Sequence, residues 1–365
     1  MSDERQIVIP THGEMSVSSI VPAILTNQAN PLVSESILGA DCVVLLVLDG
    51  LGWNQFKDHQ DNLRFLTEGS ATAITTVAPS TTASALTSIT TGVPPGEHGV
   101  IGYKIPTHQG LLNCLRWSVG GKSMIGELPP IEFQPVEPFL GTHPPAITRA
   151  EFQTTGFTQA HLRNGQFRGW WSPATLMTEI IDQVETGVPF VYAYYDGVDK
   201  IAHVHGLGKH YQDELRFVDA LAERIVHELP EEAVLIVTAD HGMVEVGDRI
   251  LQLDEEIVRR TSMTSGEARF LWLHADNESP ESVMDAAQIY ADAAWIVSRE
   301  QILDEQWFGA YVSNEARRRM GDVAIVARDP VAILDPRLPD SPHLVARHGS
   351  LTADEMLVPF LSFSK

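Results

Sequence analysis

The chain has 365 residues, 44% of them hydrophobic, which by length allows about two domains or one sheet with a substantial insertion. Its 25 basic and 48 acidic residues give a net charge of −23 and argue against a nucleic-acid polymer as partner, although a short anionic substrate can still bind where a local cation outweighs the distant field. With only Cys42 and Cys114, a disulfide scaffold is excluded and a thiolate metal site is unexpected. With no apolar run long enough for a signal or membrane segment, a cytoplasmic protein with no membrane partner is expected.

Residues 1 to about 40 contain one amphipathic stretch, Val17 to Leu25, placed to cover an edge of a sheet. Val43 to Leu48 is an unbroken Val/Leu run, the pattern of a parallel strand buried on both faces, and it stops at Asp49. Trp53 to Leu66 predicts a crossover helix and Ala71 to Val77 a short strand. Pro79, the hydroxyl cluster Ser80, Thr81, Thr82 and Ser84, the apolar Leu86 and Ile89, and Gly92 then predict a helix with a polar start and a glycine stop. Val93 to Gly99 reads as a turn.

From Tyr103 to Trp171 repeated prolines interrupt every period, so this segment is expected to form a cap insertion over a site. It carries Lys104, Arg116, Lys122, Arg149, Arg163 and Arg168. Helices at about 173–184 and 211–229 lead into two further apolar runs, Phe190 to Tyr195 and Val234 to Ala239, ending in Asp196/Asp199 and in Asp240-His241. Strands are expected at Glu267–Leu273, Trp295–Ser298 and Asp322–Ala327, with helices near 282–292 and 314–320. The alternation predicts one α/β domain over 1–365, a mostly parallel central sheet flanked by helices, with 103–171 inserted in it.

Ligands of parallel sheets bind beyond the carboxyl ends of the strands. Three buried strands ending in acids bring like charges to one edge, which calls for a cation among them. Asp199 and His203 are four apart, on one face of a helix; Asp240 and His241 are adjacent; His348 precedes Gly349, which permits close backbone approach. Asp49, Asp199, His203, Asp240, His241 and His348 form a mixed oxygen and nitrogen set suited to two divalent ions, zinc first, with manganese or iron as substitutes. A hydroxyl at a helix start meets free N–H groups and the positive end of the dipole, favourable to an alkoxide and to a phosphoryl oxygen. Ser80, Thr81, Thr82 and Ser84 all satisfy this, and any of them could instead cap the helix.

Asp49-Gly50, the segment closing in Thr91-Gly92-x-x-Pro95-x-x-His98-Gly99, Asp199-x-x-x-His203, Asp240-His241-Gly242-Met243 and His348-Gly349 together resemble the alkaline phosphatase superfamily, more narrowly its type I phosphodiesterase and nucleotide pyrophosphatase family. The resemblance spans Asp49 to His348 and puts the nucleophile on Thr82, ten residues before Gly92. It implies one metal held by Asp199, His203 and His348 and a second by Asp49, Asp240 and His241, with Asp196 and His205 as near misses. Where many relatives carry an Asn that holds a phosphate oxygen, this chain has Tyr103, whose hydroxyl can donate a single hydrogen bond.

The function expected on this basis is two-metal hydrolysis of small phosphorylated substrates, phosphodiesters or nucleotide pyrophosphates, through a phospho-threonine. Phosphomonoesterase and phosphonate hydrolase are the alternatives within the superfamily; a metal-stabilised binding protein without turnover is the alternative outside it. A sulfatase lacks its nucleophile context here, and a haloacid-dehalogenase phosphatase would need an acid where Leu51 stands.

Overall fold

The computed structural model describes residues 6–26, 30–275, 278–338 and 343–365. The central strand is Cys42–Leu48, every residue buried. Ala233–Thr238 and Phe190–Tyr195 flank it in parallel, with Val47 opposite Thr238 and Leu48 opposite Tyr195, so all three strands end at one level. This register carries Asp49, Asp196 and Asp240 to the same edge. Pro145–Arg149 and Gln166–Trp170 extend the sheet in parallel on one side. On the other side Leu357–Ser364 runs antiparallel, and Ser70–Thr75 forms the outer strand. The sheet is therefore seven-stranded and mostly parallel, flanked by helices that include Pro173–Glu185 and Lys209–Glu228. No helix among the described residues is long and apolar enough to cross a membrane.

The crossover helix expected over Trp53 to Leu66 is shorter, Trp53–Asp58, followed by a single turn at Gln60–Asn62. The 17–25 stretch folds as Val17–Ser19 and Ile20–Thr26; Ser16 bridges to Thr75 on the edge strand, and the helix also lies against Thr82–Thr91. Thr82–Thr91 is buried throughout and ends at Gly92 with φ of 75°, a conformation a side chain at that position would resist. His98 ties this helix to the turn after it: its Nε2 lies 2.8 Å from Ser88 Oγ, and its Nδ1 accepts from Val100 N–H at 3.1 Å. Burial, with Arg319 nearby, lowers its pKa to about 3, so the ring stays neutral in that bridge.

Two expectations need correction. The 103–171 segment is not one cap: Pro145–Arg149 and Gln166–Trp170 belong to the central sheet, whereas Lys104–Thr107, Gly110–Asn113, Ser118–Val119 and Lys122–Ser123 belong to a second sheet. Prolines hid these strands because each is short and Pro breaks the apparent period. Nor does the chain wind one sheet only. Ala294–Ser298, Val323–Ala327, Phe270–Ala275 and Thr261–Glu267 join the four short strands in an eight-stranded antiparallel sheet. The strand expected at Glu267–Leu273 straddles the hairpin turn between two of them. Alternation along this hairpin divides the second sheet's packing: Phe270 and Trp272 enter one apolar cluster, Leu271 and Leu273 another.

A buried ion pair joins the hairpin of the second sheet to the short helix Ala353–Met356 that follows His348. Arg269 Nε and Nη2 donate to the two oxygens of Glu355 at 2.7 Å each, and both side chains are fully buried. Glu355 also accepts from Ser350 N–H at 3.0 Å and Thr352 Oγ1 at 2.5 Å. Removing one partner strands the other charge in the interior, so Arg269→Ala is expected to cost about 3–5 kcal/mol. Urea unfolding of the metal-loaded protein measures it; a cost within about 1 kcal/mol, the scale of an exposed pair, would contradict this account.

Candidate metal centre and active site

The strand-end register concentrates carboxylates and imidazoles beside the start of the Thr82 helix. Asp49 follows the central strand and turns at Gly50, whose φ is 79°. A methyl group at Gly50 would lie 3.0 Å from Asp199 Cα, so only glycine lets the two acid loops close on each other. Asp199 N–H donates to Asp49 C=O at 2.9 Å, and Asp240 Oδ1 accepts from Gly50 N–H at 3.1 Å. These bonds hold Asp49, Asp199 and Asp240 together.

The donor atoms fall into two groups, each with its atoms within 4.8 Å of one another: Asp49, Asp240 and His241, and Asp199, His241 and His348. His241 Nε2 is 3.3 Å from both Asp49 Oδ1 and Asp240 Oδ2. Asp199 Oδ1 is 3.2 Å from His203 Nε2 and 3.8 Å from His348 Nε2. His203 thus reaches Asp199 without entering either close group, and His241 stands between the two, its ring stacked 3.6 Å from that of His348.

These residues suit divalent ions on two grounds. Asp49 Oδ1, Asp199 Oδ1 and Asp240 Oδ2 are buried without a hydrogen-bond partner, an expensive arrangement unless a cation meets them. Each histidine is also oriented from behind: Nδ1 faces a backbone carbonyl, Ala346 for His203 at 2.7 Å, Gly242 for His241 at 3.1 Å and Ser80 for His348 at 3.0 Å. A carbonyl only accepts, so Nδ1 carries the proton and Nε2 keeps its lone pair toward the acids, the tautomer of a metal ligand. Burial first, then Asp240 and Asp199, pushes Asp49 well above the usual carboxylate range. Burial raises Asp240 too, with His241 opposing it, and burial with His241 and His203 holds His348 well below its ordinary value.

Of the four hydroxyls at the helix start, Ser80 donates to Ser350 C=O at 2.6 Å, and Thr81 bonds Glu267. Ser84 is buried on the helix. Thr82 Oγ1 lies 3.1 Å from His241 Nε2, and no side chain caps the helix, so its first-turn N–H groups are not taken by one. Beside Thr82 opens a recess of about 180 Å³, walled in part by Leu86, Leu115, Phe152, Phe157 and His161.

The family model for type I phosphodiesterase / nucleotide pyrophosphatase matches residues 43–351. The chain belongs to this family. It is a hydrolase family that uses divalent metals. No curated protein sequence matches the chain. Solved structures share its fold at low identity. Murine ectonucleotide pyrophosphatase/phosphodiesterase 5 is 17% identical, with a TM-score of 0.66 over 89% of this chain and 88% of that one. An inactive threonine-to-alanine variant of the murine protein, in complex with AMP, is also 17% identical, with a TM-score of 0.65 over 88% and 87%. Phosphonoacetate hydrolase from Sinorhizobium meliloti 1021, in complex with phosphonoformate, is 14% identical, with a TM-score of 0.67 over 89% and 90%.

Asp196 and His205 stand outside the two donor groups. Asp196 is taken by Arg149 at 2.8 Å and Lys200 at 2.5 Å, and His205 stacks on His210 at 4.1 Å. Tyr103 accepts from Asn113 Nδ2 at 2.7 Å, and it is not among the residues that line the recess. Two site neighbours escape sequence reasoning. The Tyr194 hydroxyl donates to Asp49 Oδ2; its only signal is a place in the Phe190–Tyr195 strand. Glu267 arrives from the second sheet, 3.8 Å from His348 Nδ1, and burial pushes its pKa up to about 8 although Thr81 opposes this. A methyl group on Gly349 would lie 2.6 Å from Glu267 Cδ, which explains the glycine after His348.

Proposed function

We propose that the chain is a two-metal phosphodiesterase that works through a phospho-threonine at Thr82. One observation carries the reading: three partnerless buried carboxylate oxygens and three inward Nε2 atoms meet next to a helix-start hydroxyl. Asp49, Asp240 and His241 would hold the ion beside Thr82; Asp199, His203 and His348 would hold the other, with zinc as the first choice for this donor set. Bound there, divalent ions supply Lewis-acid charge that lowers a hydroxyl pKa and neutralises phosphoryl oxygens.

The chain does the rest. Backbone carbonyls behind the three histidines keep their Nε2 atoms aimed inward. First-turn N–H groups of the Thr82 helix face the oxygens of the transferring group. Thr82 Oγ forms a bond to phosphorus as the bond to the leaving alcohol breaks; water then cleaves the phospho-threonine and returns the hydroxyl.

Diesters or pyrophosphates are the preferred class, because a monoester carries one more charge and asks for a further cation. Lys200 is the one cation among the described residues that line the recess, and it is paired to Asp196. Basic residues of the 103–171 segment have their own partners where contacts are resolved: Lys122 pairs with Glu127 at 2.8 Å, and Arg163 donates to four backbone carbonyls. With zinc or manganese bound, kcat/KM for an aryl phosphodiester is expected to exceed that for the matching monoester by roughly tenfold or more. A monoester advantage would overturn the substrate class. Absence of hydrolysis of either, with metal bound, would favour a binding protein without turnover.

A further inference from the structure

The recess beside Thr82 has the size and chemistry of a subsite for one compact group. Its volume of about 180 Å³ lies below the roughly 300 Å³ at which pockets begin to enclose drug-sized ligands. It is close to the roughly 150 Å³ of an apolar cavity that accepts a single benzene ring. Thr82 and Asp49 line one part of it, so this volume must also admit the phosphoryl end of a ligand. Leu86, Leu115, Phe152, Phe157 and Leu162 supply apolar wall.

The polar groups in the recess are largely spoken for. Thr155 Oγ1 accepts from Thr158 N–H at 3.2 Å and donates to Phe152 C=O at 3.0 Å. Lys200 and Asp196 neutralise each other, and Arg149 adds a second contact to Asp196. The two cations at this end of the recess, Lys200 and Arg149, are thus both committed to Asp196. The Tyr192 hydroxyl lines the recess buried without a hydrogen-bond partner, and His161 is the second exception. Its Nδ1 meets Phe157 C=O at 2.7 Å and its ring stacks on Phe157 at 4.0 Å, so Nε2 is left as an acceptor. Burial lowers its pKa to about 4, which keeps the ring neutral.

We propose that this recess binds the ester group of the substrate, and that it selects an uncharged single ring, or an alkyl group of that size, over a nucleoside. The assignment rests on the phosphodiesterase reading and goes beyond it by naming the organic half of the substrate. His161 Nε2 would accept from a hydrogen-bond donor on that ring.

Calorimetry on the zinc-loaded Thr82→Ala protein tests it without turnover, using phenylphosphonate, methylphosphonate and AMP. Phenylphosphonate is expected to bind at least tenfold more tightly than methylphosphonate and more tightly than AMP. Leu115→Trp, which fills the recess, should reduce the phenyl-to-methyl ratio at least fivefold, and Phe157→Ala, which enlarges it, should shift preference toward AMP. AMP binding tightest in the parent protein, a phenyl-to-methyl ratio near one, or no binding of any of the three with zinc present would each overturn the proposal. So would a ratio unmoved in both variants. Diester hydrolysis that survives such a result leaves the phosphodiesterase reading standing; a wild-type protein that holds no metal and cleaves no diester defeats that reading itself.

Discussion

Thr82→Ala is expected to lower kcat for diester hydrolysis by roughly 10³-fold or more while leaving metal content unchanged. Its hydroxyl is the one among four at the helix start that touches the imidazole shared by both donor groups; Ser80 and Thr81 are held by other partners. On the proposed mechanism, removing it takes away the attacking atom and leaves the six proposed ligands in place. Thr82 is buried, and Ala is the better helix former, so stability should change by less than about 1 kcal/mol. Thr82→Ser, which keeps an oxygen there, should recover a measurable share of the rate. Steady-state kinetics beside metal analysis decides the matter, and an acid-quenched reaction should yield a phosphorylated peptide containing Thr82. Activity within tenfold of the wild type, in protein with full metal content, would remove Thr82 from the reaction.

Chelation is expected to abolish turnover and to leave a protein whose stability falls as pH rises. Asp49 and Asp240 have folded-state pKa values raised above the roughly 3.9 of an unfolded aspartate. For groups raised in this way the stabilising contribution is complete below the unfolded value and is lost as pH climbs through the folded one. Glu267, at about 8, follows the same sign. His348 opposes it: a histidine held below its ordinary value contributes stability above roughly pH 6.5 and loses it in acid. The informative window therefore lies between about pH 7 and 9, where His348 is neutral in both states.

Metal binding reverses the trend, because the ligands bind in their deprotonated forms. At a free metal concentration about 100 times its Kd, one site adds roughly 2.7 kcal/mol. Thermal melts of chelated and zinc-loaded protein should diverge as pH increases across that window, with zinc restoring both melting temperature and activity. Full activity after exhaustive chelation, or a pH-independent gap between the melts, would count against a metal centre at these residues.

Much of this arrangement was legible in the sequence because it depends on short-range rules. An unbroken Val/Leu run of this length fits an inner parallel strand buried on both faces, and Cys42–Leu48 is one. Strand ends at Leu48, Tyr195 and Thr238, and the helix from Thr82 to Thr91 with its stop at Gly92, follow from where apolar periodicity stops and where a glycine can take positive φ. Asp199 and His203 share a helix face by spacing alone, and the structure brings them to 3.2 Å.

Tertiary structure decided what depends on which chains meet. Strands at 295–298 and 322–327 were legible, but the four short strands that complete the second sheet were not, because antiparallel strands interrupted by proline and glycine carry no long period, so Lys104–Thr107 and Gly110–Asn113 read as cap. The same blindness hid Glu267, which reaches Thr81 and His348 only because its hairpin packs across to them. Spacing could not choose among four hydroxyls either; the choice came from the direction of Oγ1 toward His241, set by how the helix start meets the Asp240 loop. Sequence determined the long apolar strands, the Thr82 helix start and the chemistry of the donors, since these follow from each segment's own backbone and side chains. Which donors stand within a few ångströms of one another, and how large a group fits beside Thr82, are properties of long-range packing that no local pattern encodes.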